Sequence, residues 1–223
     1  MPTLRSHHPN PHLYGILHAI ARFLFRLLTR TEYRGLENLP VHGPYILLTN
    51  HLSAIDPPLI LAAVPMPITV FAAHTHRHEF LVGELMNAMG AIWVRRGEAD
   101  REALKAAVEL LKGGGIIGLA PEGTRSKTGA LIEGKIGAAY LATRTDVPLV
   151  PVAVTGTEVG LPAVFRLTRP HITLTIGPPF RLPDSSPQAS RAQLQAYTDL
   201  IMQKLASMLP EKYRGVYREI EDF

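Results

Sequence analysis

Val147-Pro148-Leu149-Val150-Pro151-Val152-Ala153-Val154 is an almost unbroken apolar run. A strand with one wet face alternates apolar and polar side chains, because successive residues point to opposite faces. A run without that alternation suits a strand buried on both faces, as in a mainly parallel sheet covered by helices. The surrounding chain has the matching rhythm. Strand candidates at Tyr45–Thr49, Ile68–Ala73, Ala91–Arg95, Ile116–Ala120, Leu149–Thr155 and His171–Ile176 alternate with helical patterns near Pro57–Val64, Glu79–Met89, Ala99–Lys112 and Gly134–Thr143. This predicts an α/β fold, a single domain with a mainly parallel mixed sheet flanked by helices and preceded by an amphipathic N-terminal helix. No linker, repeat or low-complexity run divides the body, and Pro183–Pro187 marks only a loop before a last helical region, Ser190–Leu209. We therefore expect an N-terminal segment over residues 1–31 and one domain over residues 32–223.

In the N-terminal segment, Gly15, His18, Arg22, Arg26 and Thr29 recur every three or four residues, one stripe of a helix, while Leu13, Ile16, Leu17, Ile20, Phe23, Leu24, Leu27 and Leu28 fill its other sides. The apolar stretch is short of the roughly 20 residues a membrane span needs and contains two arginines. A signal peptide would carry its charge before the apolar run and small residues after it, and this segment has neither. An interfacial helix fits, with a wide apolar face and the basic stripe at lipid headgroups; so does a helix docked on the protein's own core with its arginines in water. Charge favours the membrane surface. The net charge is +4, and Arg5, Arg22, Arg26, Arg30 and Arg34 against Glu32 account for all of it, leaving the rest of the chain neutral. A nucleic-acid-binding domain would spread basic charge over a face of the fold, whereas a basic end on a neutral body suits an anionic lipid surface.

The 223 residues include no cysteine, which excludes a thiolate nucleophile, cysteine-bound zinc, iron–sulfur clusters and redox dithiols. The remaining chemistry collects at strand ends, where α/β sheets bind ligands. Asn50-His51-Leu52-Ser53-Ala54-Ile55-Asp56-Pro57-Pro58 follows the first strand candidate. On one continuous helix, residues five apart would stand about 140° from each other. The prolines argue instead for a loop carrying His51, with Asp56 as the N-cap of the next helix. Such a bend can bring the carboxylate to one imidazole nitrogen, set the tautomer and make the other nitrogen a general base. A second cluster, Pro121-Glu122-Gly123-Thr124-Arg125-Ser126, follows Ile116–Ala120 and holds phosphate-binding parts: a glycine that lets a backbone N–H approach an anion, hydroxyls and a guanidinium fork. It is not a P-loop, since the glycine spacing and the Gly-Lys-Thr ending are missing. A third, Gly90 through Arg96, delivers Arg95 and Arg96 to a strand end, and Lys135 is a further candidate cation.

Together these residues resemble the glycerolipid acyltransferases, including the bacterial enzymes that acylate 1-acyl-sn-glycerol 3-phosphate. His51 through Asp56 matches the family's His-x4-Asp block; Gly90 through Arg96 is similar to its second block; Pro121 through Ser126 fills every position of the third; Val147 through Val152 resembles the fourth. The order is the family's, over roughly residues 32–180. Ala73-His74 departs from it where a lysine is common, and Gly134-Lys135-Ile136-Gly137 lacks the usual phenylalanine. The resemblance implies direct transfer of an acyl group from acyl-CoA or acyl carrier protein to the hydroxyl of a lysophospholipid acceptor, giving phosphatidate from 1-acyl-sn-glycerol 3-phosphate, with no covalent acyl-enzyme, no cofactor and no metal. It implies His51 as base, Asp56 as its orienting partner, and Glu122, Gly123, Thr124, Arg125, Arg96 and Lys135 as acceptor-binding residues. It implies action at the cytoplasmic face of a membrane, as a peripheral or monotopic protein on an anionic lipid surface, with no nucleic-acid partner. Another lysolipid acceptor, or a non-catalytic lipid-binding protein of this fold, remains an alternative.

Other polar residues carry less. His74, His76 and His78 would share a face if they lay on a strand, and could then bind a metal; a polar loop is the plainer reading. Ser53 lies two residues from His51, but no nucleophile elbow presents it. Tyr213, Tyr217 and Phe223 sit in a charged tail and read as edge packing.

Overall fold

A computed structural model describes residues 9–77, 83, 86–87, 90–94, 100–159, 166 and 168–219. Seven strands are described: β1 (Arg30–Arg34), β2 (Tyr45–Thr49), β3 (Ile68–Ala73), β4 (Ile92–Val94), β5 (Ile116–Leu119), β6 (Leu149–Thr155) and β7 (His171–Ile176). They form one sheet in the order β1-β7-β6-β2-β5-β3-β4. Every pairing is parallel except β6 with β7. Five α-helices are described: α1 (Pro11–Leu28), α2 (Asp56–Ala63), α3 (Arg101–Lys112), α4 (Gly137–Thr145) and α5 (Arg191–Ser207). The predicted α/β architecture with a mainly parallel mixed sheet and an N-terminal helix is the architecture observed. Of the helix predicted at Glu79–Met89, the described residues Gly83, Met86 and Asn87 are helical.

The alternation of side chains along the central strands builds two cores. Ile46 and Leu48 of β2, with Leu149 and Ala153 of β6, face α3, α4 and α5. Tyr45 and Leu47, with Val150, Val152 and Val154, face α1 and α2. All of these residues are buried, which is why β6 reads as a continuous apolar run. Pro151 fits within β6 because of where its missing N–H points. Leu149 exchanges both backbone hydrogen bonds with Phe180, and the β6–β7 ladder begins at Val152 opposite Ile176, so alternation puts the Pro151 nitrogen in the gap between them.

The strand Arg30–Arg34 is not among the predicted ones. Its sequence, Arg-Thr-Glu-Tyr-Arg, has no apolar run; among the described residues it is an edge strand paired with β7 alone, with alternating exposed and half-buried residues. It extends from the last residues of the 1–31 segment into the 32–223 body. An Arg34–Glu32 ion pair decorates it in water.

Helix α1 starts at Asn10, whose side chain accepts from the N–H groups of His12 and Leu13, ahead of Pro11 in the first turn. The N-terminal helix lies over residues 11–28, and part of its polar side meets the body. The Tyr14 hydroxyl donates to Val64 O at 3.1 Å, His18 Nδ1–H to Leu61 O at 2.7 Å and Arg22 to Ala62 O at 3.5 Å. These carbonyls belong to the last turn and cap of α2, where a helix leaves acceptors without partners and its dipole favours cations. These bonds dock α1 on α2, with Tyr14, Ala21 and Phe25 buried, while Gly15, Arg22 and Arg26 of the stripe remain exposed. Ile16, Ile20, Phe23, Leu24 and Leu27 face outward, with Phe23 64% exposed. No helix among the described residues is long and apolar enough to cross a membrane.

Candidate active site

Because β2, β5 and β6 are adjacent and parallel, their C-terminal ends open on one rim. Register aligns them: Leu48 lies opposite Leu119 on one side and Pro151 on the other. The loops after these three strands supply the site.

The first loop leaves β2 under control of Asn50. This residue is buried, and its amide donates to Val154 O at 2.8 Å and accepts from Val154 N at 2.7 Å, copying a strand partner for β6. The chain then turns, and His51 Nδ1 lies 2.8 Å from Asp56 Oδ2. A carboxylate only accepts, so Nδ1 carries the proton and Nε2 presents its lone pair outward. The His51 side chain is 22% exposed and that of Asp56 2%, which leaves the imidazole reachable and its partner sealed. The bend predicted between them is present.

Asp56 is not the N-cap. Ile55 caps α2 without a side-chain hydrogen bond, and Asp56 is the first helical residue. Its carboxylate turns back into the loop, where Oδ2 also accepts from Leu52 N at 2.7 Å and Ser53 N at 2.8 Å. With two prolines supplying no N–H in the first turn of α2, fewer donors there compete for it. Ser53 Oγ accepts from Ile55 N and is buried; among the described residues no hydrogen bond joins it to His51.

The second loop grips His51 from behind. Glu122 is fully buried; its Oε1 accepts from the His51 backbone N–H at 2.8 Å and its Oε2 from Ile132 N–H at 3.2 Å. Ser126 N–H donates to His51 O at 2.8 Å. Burial pushes the Glu122 carboxyl up to about 7, partly offset by the two N–H donors. With both oxygens turned inward, Glu122 holds the His51 backbone and not an acceptor, unlike the role implied by resemblance.

Gly123 differs from expectation too. Its N–H closes a turn onto Ala120 O at 3.0 Å rather than pointing to solvent. The glycine is needed for its φ of +68°, and a Cβ there would lie 2.9 Å from Cδ and 3.4 Å from Nζ of the flexible Lys135 side chain. The Lys135 side chain thus lies across the loop, and its backbone N–H donates to Pro121 O. Arg125 and Lys135 are exposed, Thr124 is half-buried, and Arg125 makes no hydrogen bond to any described residue. The structure brings His51, Asp56, Glu122, Gly123, Thr124, Arg125 and Lys135 to one rim. Arg96 and Arg95 lie outside the described residues.

Three residues at this site carry no motif signal. Thr157, just beyond β6, donates its hydroxyl to Asp56 Oδ1 at 2.5 Å. Tyr213 and Tyr217, read as edge packing, reach inward. The Tyr213 hydroxyl meets Glu158 at 2.5 Å and accepts from Gly156 N, while the Tyr217 hydroxyl accepts from Gly134 N at 3.1 Å. Thr157 follows a predicted strand end, the one available clue; the tyrosines have none. His74–His76 forms one 3-10 turn and not a strand, so the alternate-face argument lapses there, and His78 lies outside the described residues. Among the described residues no group of His, Asp and Glu is placed to hold a metal ion.

Comparison with known proteins finds the same region. The family model described as Acyltransferase matches residues 30–155. The 1-acyl-sn-glycerol-3-phosphate acyltransferase of Borreliella burgdorferi is 31% identical over 127 residues, covering 56% of this chain and 50% of that protein. The Bacillus subtilis protein of that name is 27% identical over 173 residues, covering 77% and 84%. A chloroplastic protein of Brassica napus, 1-acyl-sn-glycerol-3-phosphate acyltransferase BAT2, is 35% identical over 132 residues, covering 57% and 38%. The chain thus spans half or less of the Brassica and Borreliella proteins. The crystal structure of the 1-acyl-sn-glycerophosphate acyltransferase PlsC from Thermotoga maritima superposes with a TM-score of 0.67 at 23% identity, covering 88% of this chain and 80% of that one, a likeness of fold.

Proposed function

The chain belongs to the acyltransferase family, and from that premise we propose that it transfers a fatty acyl group from acyl-CoA or acyl carrier protein to the free hydroxyl of 1-acyl-sn-glycerol 3-phosphate, forming phosphatidate. The observation that carries the proposal is the His51–Asp56 pair, Nδ1 to Oδ2 at 2.8 Å, on the same rim as the exposed Arg125 and Lys135. The His51 Nε2 lone pair takes the acceptor's hydroxyl proton as the oxygen attacks the thioester carbonyl. Asp56 holds the imidazolium that results. Collapse of the tetrahedral intermediate breaks the carbon–sulfur bond, and the departing thiolate takes the proton from Nε2. The acyl group moves directly between bound substrates, so no cysteine or serine nucleophile is required. Arg125 and Lys135 are the cations to hold the acceptor phosphate, Arg125 with a bidentate fork.

The test is a panel of lysolipid acceptors offered to the purified protein with labelled acyl-CoA and acyl carrier protein. Phosphatidate forming fastest from 1-acyl-sn-glycerol 3-phosphate supports the reading; transfer only to acceptors lacking a terminal phosphate overturns it. In the same assay Arg125→Ala should raise the acceptor's KM about 10–100-fold, the size expected for hydrogen bonds to a charged group, and leave the thioester's KM unchanged. Equal increases in both would remove Arg125 from the phosphate site.

The proposal includes peripheral action at the cytoplasmic face of a membrane, on an anionic lipid surface. Its support is the outward apolar strip of α1, Ile16, Ile20, Phe23, Leu24 and Leu27, on a helix held to the body through Tyr14 and His18. Burying one such side chain is worth about 1.5–3 kcal/mol. Ile20→Ser with Phe23→Ser should therefore weaken co-sedimentation with phosphatidylglycerol-containing vesicles at least about tenfold, with the thermal melt unchanged. Sedimentation equal to the parent's would discard the interfacial role of α1.

A further inference from the structure

The two oxygens of Asp56 answer to different parts of the chain. Oδ2 takes three donors from residues 51–53, whereas Oδ1 takes Thr157, which is 101 residues away in sequence and fully buried. A carboxylate's terminal torsion is broad and two-fold, and because the group is planar both oxygens turn together, so the donor on Oδ1 adds a second, distant anchor to those on Oδ2 and pairs an oxygen that burial cuts off from water.

Thr157 is itself held with care. Gly156 adopts φ of +85°, and a Cβ there would sit 2.1 Å from His171 O, so only glycine permits the turn that carries Thr157 under Asp56. The Tyr213 hydroxyl binds the residues on both sides, accepting from Gly156 N at 3.3 Å and meeting Glu158 Oε1 at 2.5 Å. The Lys212 ammonium stacks on the Tyr213 ring, 4.6 Å from its centroid. The tail thus reaches back to the strand end behind the catalytic pair.

Resting on the reading of His51 as general base, we propose that Thr157 is a positioning residue for acyl transfer: its hydroxyl locks the Asp56 carboxylate so that Oδ2 stays on His51 Nδ1, and Tyr213 braces the loop that presents it. Thr157 is fully buried beneath Asp56, so its contribution belongs to turnover and not to binding.

The experiment measures kcat and both KM values with 1-acyl-sn-glycerol 3-phosphate and acyl-CoA for Thr157→Val, Thr157→Ser, Tyr213→Phe and His51→Ala. Thr157→Val keeps the shape and removes the donor; it should lower kcat about 10–100-fold, the scale of a small misplacement of a catalytic group, with both KM values within about twofold. Thr157→Ser should recover most of the turnover, which a purely space-filling role would not produce. Tyr213→Phe should lower kcat less, again at constant KM, and it tests the brace if Thr157→Val fails to fold. Parent-like kcat in Thr157→Val, or equal kinetics in the Val and Ser variants, overturns the proposal, as does a loss confined to KM. If Thr157→Val does not fold, parent-like kcat in Tyr213→Phe overturns it. An inactive His51→Ala beside a normal Thr157→Val would sink only the positioning role; an active His51→Ala would sink the base assignment beneath it.

Discussion

His51→Ala should lower kcat for transfer to 1-acyl-sn-glycerol 3-phosphate by about 10²–10⁴-fold, the usual contribution of a positioned general base. The geometry sets the expectation. Nδ1 is committed to Asp56 at 2.8 Å, so Nε2 is the nitrogen able to accept a proton, and the half-buried side chain is reachable from the rim. Folding should survive the change, because the backbone N–H and C=O of residue 51 carry the bonds to Glu122 and Ser126 and remain in the variant. The thermal melt should therefore move little while turnover collapses, and both KM values should hold. Normal transfer by a folded His51→Ala protein would show that another group takes the hydroxyl proton.

Glu122→Gln should produce the second large effect, in turnover and in the pH dependence of stability. The substitution replaces one acceptor oxygen by an NH2 group facing a backbone N–H, either that of His51 or that of Ile132. One buried donor is left unpaired, at about 1–3 kcal/mol, and the clamp on His51 loosens. We expect kcat to fall about tenfold or more, since small errors in placing a base are costly, with the acceptor KM nearly unchanged because Glu122 is sealed from solvent. A rise in acceptor KM with kcat intact would return Glu122 to the binding role that resemblance implies.

The pH effect has a definite sign. Burial raises the Glu122 carboxyl from 4.5 to about 7. Between those values the folded protein holds a proton that the unfolded chain has released, so this residue's contribution to stability is complete below 4.5 and declines as pH rises through 7. The displacement corresponds to on the order of 3 kcal/mol. Thermal melts at pH 5 and pH 8 should therefore differ less in Glu122→Gln than in the parent. An identical pH dependence in the two proteins would mean that Glu122 does not titrate in that window.

Much of this was legible in the residues because it is local. Six of the seven described strands announce themselves in the sequence, and the loop between His51 and Asp56 follows from two adjacent prolines. Arg30–Arg34 gives no such signal, since an edge strand needs neither an apolar run nor burial on both faces. Helix α1 shows the limit from another side. Its period reveals a polar stripe and an apolar face, but not which of them meets the body. The carbonyls at the end of α2 decide that, taking hydrogen bonds from Tyr14, His18 and Arg22.

The candidate site divides the same way. Residue types and spacing within one segment determined the His51–Asp56 pair and the cations after β5, because a strand end followed by a turn is short-range geometry. What lies behind that pair was decided only by the sheet. Parallel pairing in the order β6-β2-β5 brings three distant strand ends to one rim, setting Glu122 on the backbone of His51 and Thr157 on the second oxygen of Asp56. A buried carboxylate and a buried hydroxyl take their roles from whichever donors and acceptors surround them, and those neighbours are chosen by strand order, which no single segment contains.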